Sequence, residues 1–319
     1  MNAKIGIPRS LFYYKFMPFW EVFFTELGNV VVVSGPTNKQ ILDNGVKACI
    51  DEACLPIKVF FGHVIDLMNR VDYILVPRFT SISRGEYICP EFGGLPDMIR
   101  HSLKGLPALI DTEVNMRVSE RGGLAAAIET GVLLGAGRRT AVAAYKSAVA
   151  KMKQQCCSFT HSPAQRLRVA VIGHPYNVYD RYVSMDLLGK LEKYGADAIT
   201  IEMVDVKDIN SQAGRLKKPM FWNYGRNAYG AAMHLAGSGT VDGFICITSF
   251  GCGIDSFVND LIERRIRREY TIPFITMTID EHSGEAGFNT RLEAFIDMLR
   301  WRKSHENNIS ASGKHLHYC

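Results

Sequence analysis

The sequence of 319 residues holds eight cysteines but no Cys-x-x-Cys pair. That absence removes the usual zinc-ribbon, thioredoxin and ferredoxin signatures, so a metal site built from these thiols has to draw on cysteines distant in sequence. No Gly-x-Gly-x-x-Gly or Gly-x-x-x-x-Gly-Lys-Ser/Thr run follows a predicted strand, and intrinsic NAD or ATP binding is discounted on that ground. No apolar stretch reaches the roughly 18 residues of a membrane span, and the N-terminus lacks a signal-peptide pattern. A cytoplasmic location without a membrane partner is expected. Charge of one sign is also scarce, with a net excess of only +5. The most basic run, Arg264-Arg-Ile-Arg-Arg268, ends a predicted helix where cations suit the dipole, so no nucleic-acid partner is expected.

What is present is enough to fold. At 47% hydrophobic, a chain of this length can bury large cores and suggests two domains. Eight cysteines in a cytoplasmic chain point to metal or redox chemistry rather than a disulfide framework.

The stretch around which the chain is organised is Gly243-Phe-Ile-Cys-Ile-Thr-Ser-Phe-Gly-Cys252-Gly-Ile-Asp-Ser-Phe-Val-Asn-Asp260. Residues 244–248 form the short continuous apolar run of a buried parallel strand. Gly251 and Gly253 then relieve Cβ crowding and leave backbone N–H groups free to face an anion or a sulfur ligand. The spacing places Cys252 at a helix N-terminus, where the dipole and free amides favour the thiolate.

Along the chain, strands are predicted over 4–8, 29–34, 73–77 and 108–111, with an aromatic-rich helix over 11–27 whose rings are read as core. Thr37 and Gln40 look like a capping box opening a helix to about residue 49. Asp51-Glu-Ala-Cys54-Leu-Pro56 opens the next helix, with Cys54 at its N-terminus and Pro56 in its first turn. Residues 78–90 read as a polar loop ending in Cys89-Pro90. Residues 125–153 read as Ala-rich helix broken near Gly135 and Gly137, and Cys156 and Cys157 fall in a linker. The pattern restarts with strands over 168–173, 198–204, 244–248 and 274–279 and a closing helix over 291–301. The expected fold is therefore α/β: two consecutive Rossmann-like domains, each with a roughly four-stranded parallel sheet flanked by helices. The domains are 1–155, with Cys54 and Cys89, and 164–303, with Cys252, and 304–319 is a loose tail carrying Cys319. In such sheets ligands lie beyond the carboxyl ends of the strands, where Cys89, Cys252, His174, Glu281 and His282 all fall.

On spacing alone three readings stay open: a shared metal site on Cys54, Cys89 and Cys252, buried structural thiols, or a cysteine nucleophile paired with His174 or His282. Cys49 and Cys246 read as buried in a helix and a strand, with Cys246 a backup ligand.

Six motifs add to this: Ile5-Gly-Ile-Pro-Arg-Ser, Asp51-Glu-Ala-Cys-Leu-Pro, Tyr87-Ile-Cys-Pro, Gly173-His-Pro-Tyr-Asn, Thr248-Ser-Phe-Gly-Cys-Gly-Ile-Asp-Ser and Thr278-Ile-Asp-Glu-His-Ser-Gly-Glu-Ala-Gly-Phe. In this order they resemble the 2-hydroxyacyl-CoA dehydratase subunits, and more closely the acyl-CoA dehydratase activase-related branch with its double-cubane relatives. The resemblance spans nearly the whole chain. It implies an iron–sulfur cluster, [4Fe-4S] or a bridged double-cubane [8Fe-9S], held by three cysteines per chain, which carries over onto Cys54, Cys89 and Cys252, with Gly251 and Gly253 beside it. It further implies reduction by a separate ATP-hydrolysing, iron–sulfur activase. The dehydratases pair two different subunits with a longer helical portion for which this chain has little room, which favours a homodimeric oxidoreductase acting on a small substrate. The alternatives are a dehydratase-type lyase component and a non-catalytic cluster carrier. No acid or base is assigned.

Overall fold

The computed structural model describes residues 2–154 and 166–312 and, in the last helix, side chains to residue 305. The first half runs β1 (Lys4–Ile7), α1 (Tyr13–Glu26), β2 (Val30–Val33), α2 (Lys39–Ala48), α3 (Leu55–Leu67), β3 (Tyr73–Leu75), β4 (Arg78–Ser81), α4 (Pro90–Ser102), β5 (Ala108–Ile110), β6 (Glu113–Asn115), α5 (Arg121–Leu133) and α6 (Arg138–Gln154). The second runs β7 (Leu167–Ile172), α7 (Pro175–Val178), α8 (Leu187–Lys193), β8 (Ala196–Thr200), α9 (Val206–Ala213), α10 (Asn223–Ser238), β9 (Gly243–Ser249), α11 (Gly253–Glu269), β10 (Phe274–Ile279) and α12 (Glu285–Ser312).

Each half carries a four-stranded sheet, in the orders β2-β1-β3-β5 and β10-β9-β7-β8, and every pairing in them is parallel. The expected α/β architecture of two Rossmann-like units is what the chain adopts. Both sheets share one topology: the chain passes from the first strand to one neighbour and then crosses to the other side. That reversal is the topological switch point of a doubly wound sheet, where a crevice opens at the strands' carboxyl ends. In the second half it lies between β7 and β9, whose ends lead to His174 and Cys252. β9 is buried along its full length, as a central parallel strand with helices on both faces must be.

The helix between the halves is α3. Every residue from Leu55 to Val64 is buried, the pattern of a helix covered on all sides. Its Leu55 and Val59 join Val169, Val171 and Leu187 of the second half in one core, while Ile57, Phe60 and Phe61 pack into the first-half core that also takes in Tyr176 and reaches Cys252. The close seat of α2 on α3 depends on missing side chains: a Cβ at Gly45 would lie 1.9 Å from the Lys58 carbonyl oxygen.

Several expectations are corrected. Residues 78–81, read as loop, form β4, paired in parallel with β6 in a separate two-stranded sheet. Cys89 closes that loop by starting α4, which the sequence pattern did not announce. The helix expected to open at a Thr37 capping box has Asn38 as its N-cap instead, its side chain accepting from the Ile41 N–H at 3.0 Å. Thr37 is drawn away by partners from elsewhere in the fold. Of the aromatics on α1, Phe23 and Phe24 are fully buried, and Tyr14, Phe16, Phe19 and Trp20 are half-buried but packed against the first-half cores; Tyr14 also lines a cavity. Finally, α12 continues to Ser312, so residues 304–312, read as a loose tail, are helical. Cys156, Cys157 and Cys319 lie outside the described residues.

Candidate functional site

Three of the cysteines are brought together. Cys54, Cys89 and Cys252 line one cavity of about 570 Å³ between the halves. Each occupies the N-cap position of a helix, α3, α4 and α11 respectively, and in none does the side chain cap the helix by a hydrogen bond. Local sequence explains the placement: Pro56, Pro90 and Gly253 stand in the first turns, where a missing N–H or missing side chain costs least. The elbow before Cys252 needs Gly251, which takes φ +82° and sits with its ideal Cβ position 3.6 Å from the Cys54 Cα. That contact joins the two cysteine-bearing segments across the halves.

Burial, not the helix dipole, governs these thiols. It pushes Cys54 far above the ordinary cysteine range, and the neighbouring Glu91 carboxylate adds to the rise. Cys89 is pushed up to about 11 and Cys252 to about 12, burial being the main cause, with Glu91 and Asp255 acting in the same sense. The backbone N–H groups of Ile57, Glu91 and Asp255 oppose the shift at Cys54, Cys89 and Cys252 without reaching hydrogen-bond geometry. At Cys252 the dipole and amides expected to favour the thiolate are outweighed by desolvation. The Cys54 thiol instead donates to Glu91 Oε2 at 3.3 Å, and Cys89 lies 3.9 Å from the same oxygen.

The lining also includes His174, stacked between Tyr176 and Tyr224. Its Nε2 lies 3.0 Å from Oδ1 of Asp255. That oxygen has no aligned hydrogen-bond partner, so the two atoms are close without a formed hydrogen bond. Glu281 and His282, expected at the same cleft, are not among the lining residues. Glu281 turns to Lys58 of α3 at 2.5 Å, and His282 is exposed, its N–H held by Asp280. Cys246 is fully buried in the core behind β9 and Cys49 is buried at the end of α2, so neither reaches the cavity wall.

A backbone link joins the halves beside the cavity. Tyr87 N–H donates to the Phe221 carbonyl at 2.7 Å and Asn223 N–H to the Tyr87 carbonyl at 2.8 Å, a bridge that lays the segment before Cys89 along the start of α10. Sequence reasoning missed this contact and also missed Glu91, Tyr14 and Lys15 as lining residues. Glu91 alone had a local signal, as the residue following Cys89-Pro90.

Among the described residues no three Cys, His, Asp or Glu side chains converge closely enough for a single metal ion. The three sulfurs are instead spread around one cavity. A donor set of three soft thiols on helix N-termini, with amides leaning toward each sulfur, fits a polynuclear iron–sulfur group, which takes one thiolate per iron.

Fold and site therefore define a doubled, Rossmann-like α/β chain with a thiol-lined cavity between its halves. The chain matches the family described as CoA enzyme activase uncharacterised domain (DUF2229) over residues 4–204 and 2-hydroxyglutaryl-CoA dehydratase, D-component, over residues 114–299. Each match covers more than half of the sequence, and the chain belongs to the 2-hydroxyacyl-CoA dehydratase and activase-related superfamily. No curated protein matches it. Among solved structures, the SBP FpvC from Pseudomonas aeruginosa in complex with Mn2+ is similar at 13% identity over 94% of this chain and 96% of that one, with a TM-score of 0.30; so distant a likeness carries no argument. No helix among the described residues is long and apolar enough to cross a membrane.

Proposed function

We propose that this chain is an iron–sulfur oxidoreductase that receives low-potential electrons from a separate ATP-dependent activase and passes them to a small molecule in the thiol-lined cavity. The observation that carries this reading is that Cys54, Cys89 and Cys252, far apart in sequence, line one cavity. A [4Fe-4S] or bridged [8Fe-9S] cluster held there supplies one-electron transfer and, with three protein thiolates per cube, an iron open to substrate. The chain's part is to give up three thiol protons on loading, to support the sulfur charge with the first-turn amides of α3, α4 and α11, and to keep the Gly251 to Gly253 elbow clear of side chains. His174 stands in the cavity lining between two tyrosine rings, beside Asp255. A homodimer would bring two such sets together, and the exposed Phe250 and Phe257, at 67% and 71%, lie on the elbow and helix of Cys252 as an apolar surface available for that contact.

A second reading, a component of a 2-hydroxyacyl-CoA dehydratase, is favoured by the match to the dehydratase D-component over residues 114–299. The test begins with iron and acid-labile sulfide counted in anaerobically purified protein. Cys54→Ser, Cys89→Ser and Cys252→Ser are each expected to lose most of the iron, and Cys156→Ser, Cys157→Ser and Cys319→Ser to keep it. Full iron in any two of the first three variants would end the assignment. Turnover of a 2-hydroxyacyl-CoA by the iron-loaded, activase-reduced protein would select the second reading.

A further inference from the structure

Lys15 stands on the first turn of α1 and lines the same cavity as the three thiols. Among the described residues its ammonium makes no ion pair and no hydrogen bond; its nearest described partner is the face of Phe16, 5.6 Å from the ring centroid. The residue is exposed, and the protein crowding its ammonium lowers its pKa below that of a free lysine, against the opposing pull of Glu202 and Glu86. Neither acidic neighbour pairs directly with the ammonium, although both act on it with their negative charge. Glu86 is engaged by Ser83 at 2.6 Å, Asn223 at 2.5 Å and Arg226 at 3.4 Å, and Glu202, itself exposed, takes the Tyr179 hydroxyl at 3.0 Å.

We infer that Lys15 binds the carboxylate of a small organic acid whose apolar body lies against the aromatic wall of the cavity. The inference rests on the reading of this cavity as the substrate site and names the class of molecule it takes. Around the ammonium the lining is dominated by rings, among them Phe12, Phe92, Tyr87, Tyr176, Trp222 and Tyr224. Such walls favour a flat or branched apolar body. Lys15 is the one lysine or arginine among the lining residues, and an incoming carboxylate would give its ammonium a charge-assisted partner.

The test uses benzoate as the anion and benzamide as its neutral, nearly isosteric control, titrated calorimetrically into anaerobically prepared wild-type protein, Lys15→Met and Lys15→Arg. Benzoate is expected to bind wild type at least tenfold more tightly than Lys15→Met, with Lys15→Arg within a few-fold of wild type and benzamide indifferent to all three. In wild-type protein whose lysines are reductively ¹³C-methylated, which keeps the charge, benzoate and not benzamide should shift the Lys15 resonance, a readout that does not depend on the variants folding. Equal benzoate affinity in wild type and Lys15→Met, no benzoate binding to wild type, or an unmoved Lys15 resonance would each overturn the proposal. Iron is counted in the same samples: iron-free protein that still discriminates sinks the cluster reading alone, and iron-loaded protein that does not sinks this one alone.

Discussion

His63 has no exposed surface, and both of its ring nitrogens are engaged. Thr37 donates its hydroxyl proton to Asp180 Oδ2, so its oxygen accepts from His63 Nε2–H at 2.9 Å, and Nδ1 is left to accept from the Ser34 hydroxyl at 2.9 Å. The tautomer is therefore fixed and the ring neutral. Burial lowers the His63 pKa from 6.5 to about 4. An unfolded chain takes up the proton that the folded ring refuses, so this contribution is complete above about pH 6.5 and is lost as pH falls toward 4, by up to about 3 kcal/mol. Urea unfolding at pH 7.5 and 4.5 should show wild type losing about 2–3 kcal/mol more than His63→Gln over that interval; parallel losses would show that His63 does not set the dependence. Thr37 was legible only as a cap residue. Its role in this network is set by His63 and Asp180, one on α3 and the other in the second half, and no local pattern reports either.

At the scale of the element, the strand β9, the elbow and α11 were readable because each obeys a local rule: an apolar run for a buried strand, glycines at a turn, and apolar spacing along a helix. The two glycines are not equivalent. Gly251 adopts φ +82°, whereas Gly253 does not, and a Cβ at Gly253 would meet nothing within 4 Å. Gly251→Ala should cost about 1–2 kcal/mol, the penalty of a left-handed backbone for a residue with a side chain. Gly253→Ala should change the stability of the metal-free protein by less than about 0.5 kcal/mol. Chemical denaturation of the two variants side by side checks the contrast, and equal costs would refute it. The proposed role of Gly253 is confined to the loaded site. α4 was missed because Pro90 and Pro96 break the helical pattern on which sequence reading relies; Pro90 falls at the first position, where proline is tolerated.

The molecule as a whole is joined through α3. Lys58 has 5% of its side chain exposed and meets Glu281, 18% exposed, across the halves at 2.5 Å. Burial raises the Glu281 pKa, but the Lys58 ammonium more than reverses it, leaving the carboxyl below its usual range. Removing one partner strands the other. Lys58→Met should therefore destabilise the protein by about 2–4 kcal/mol, and the double change Lys58→Met with Glu281→Leu should recover most of it. A double-mutant cycle on unfolding free energies measures the coupling; additive losses would mean that the pair contributes nothing. With Leu55 and Val59 sharing a core with the second half, the halves are expected to behave as one body rather than as hinged domains.

The sequence by itself determined the two parallel α/β units, the buried character of β9 and the first-turn placement of Cys54 and Cys252, since each follows from residues within one or two turns of one another. The break between α5 and α6 at Gly135 and Gly137 was equally local. Only the tertiary structure decided that Cys54, Cys89 and Cys252 line one cavity, that Glu281 faces Lys58 rather than that cavity, and that Lys15 lines it. These depend on how α1, α3 and α10 are packed between two sheets, a matter of contacts between residues tens to hundreds of positions apart. It also reversed the sign of the thiol shifts, because the dipole of a helix is written in its sequence while the desolvation that outweighs it comes from neighbours that only folding supplies.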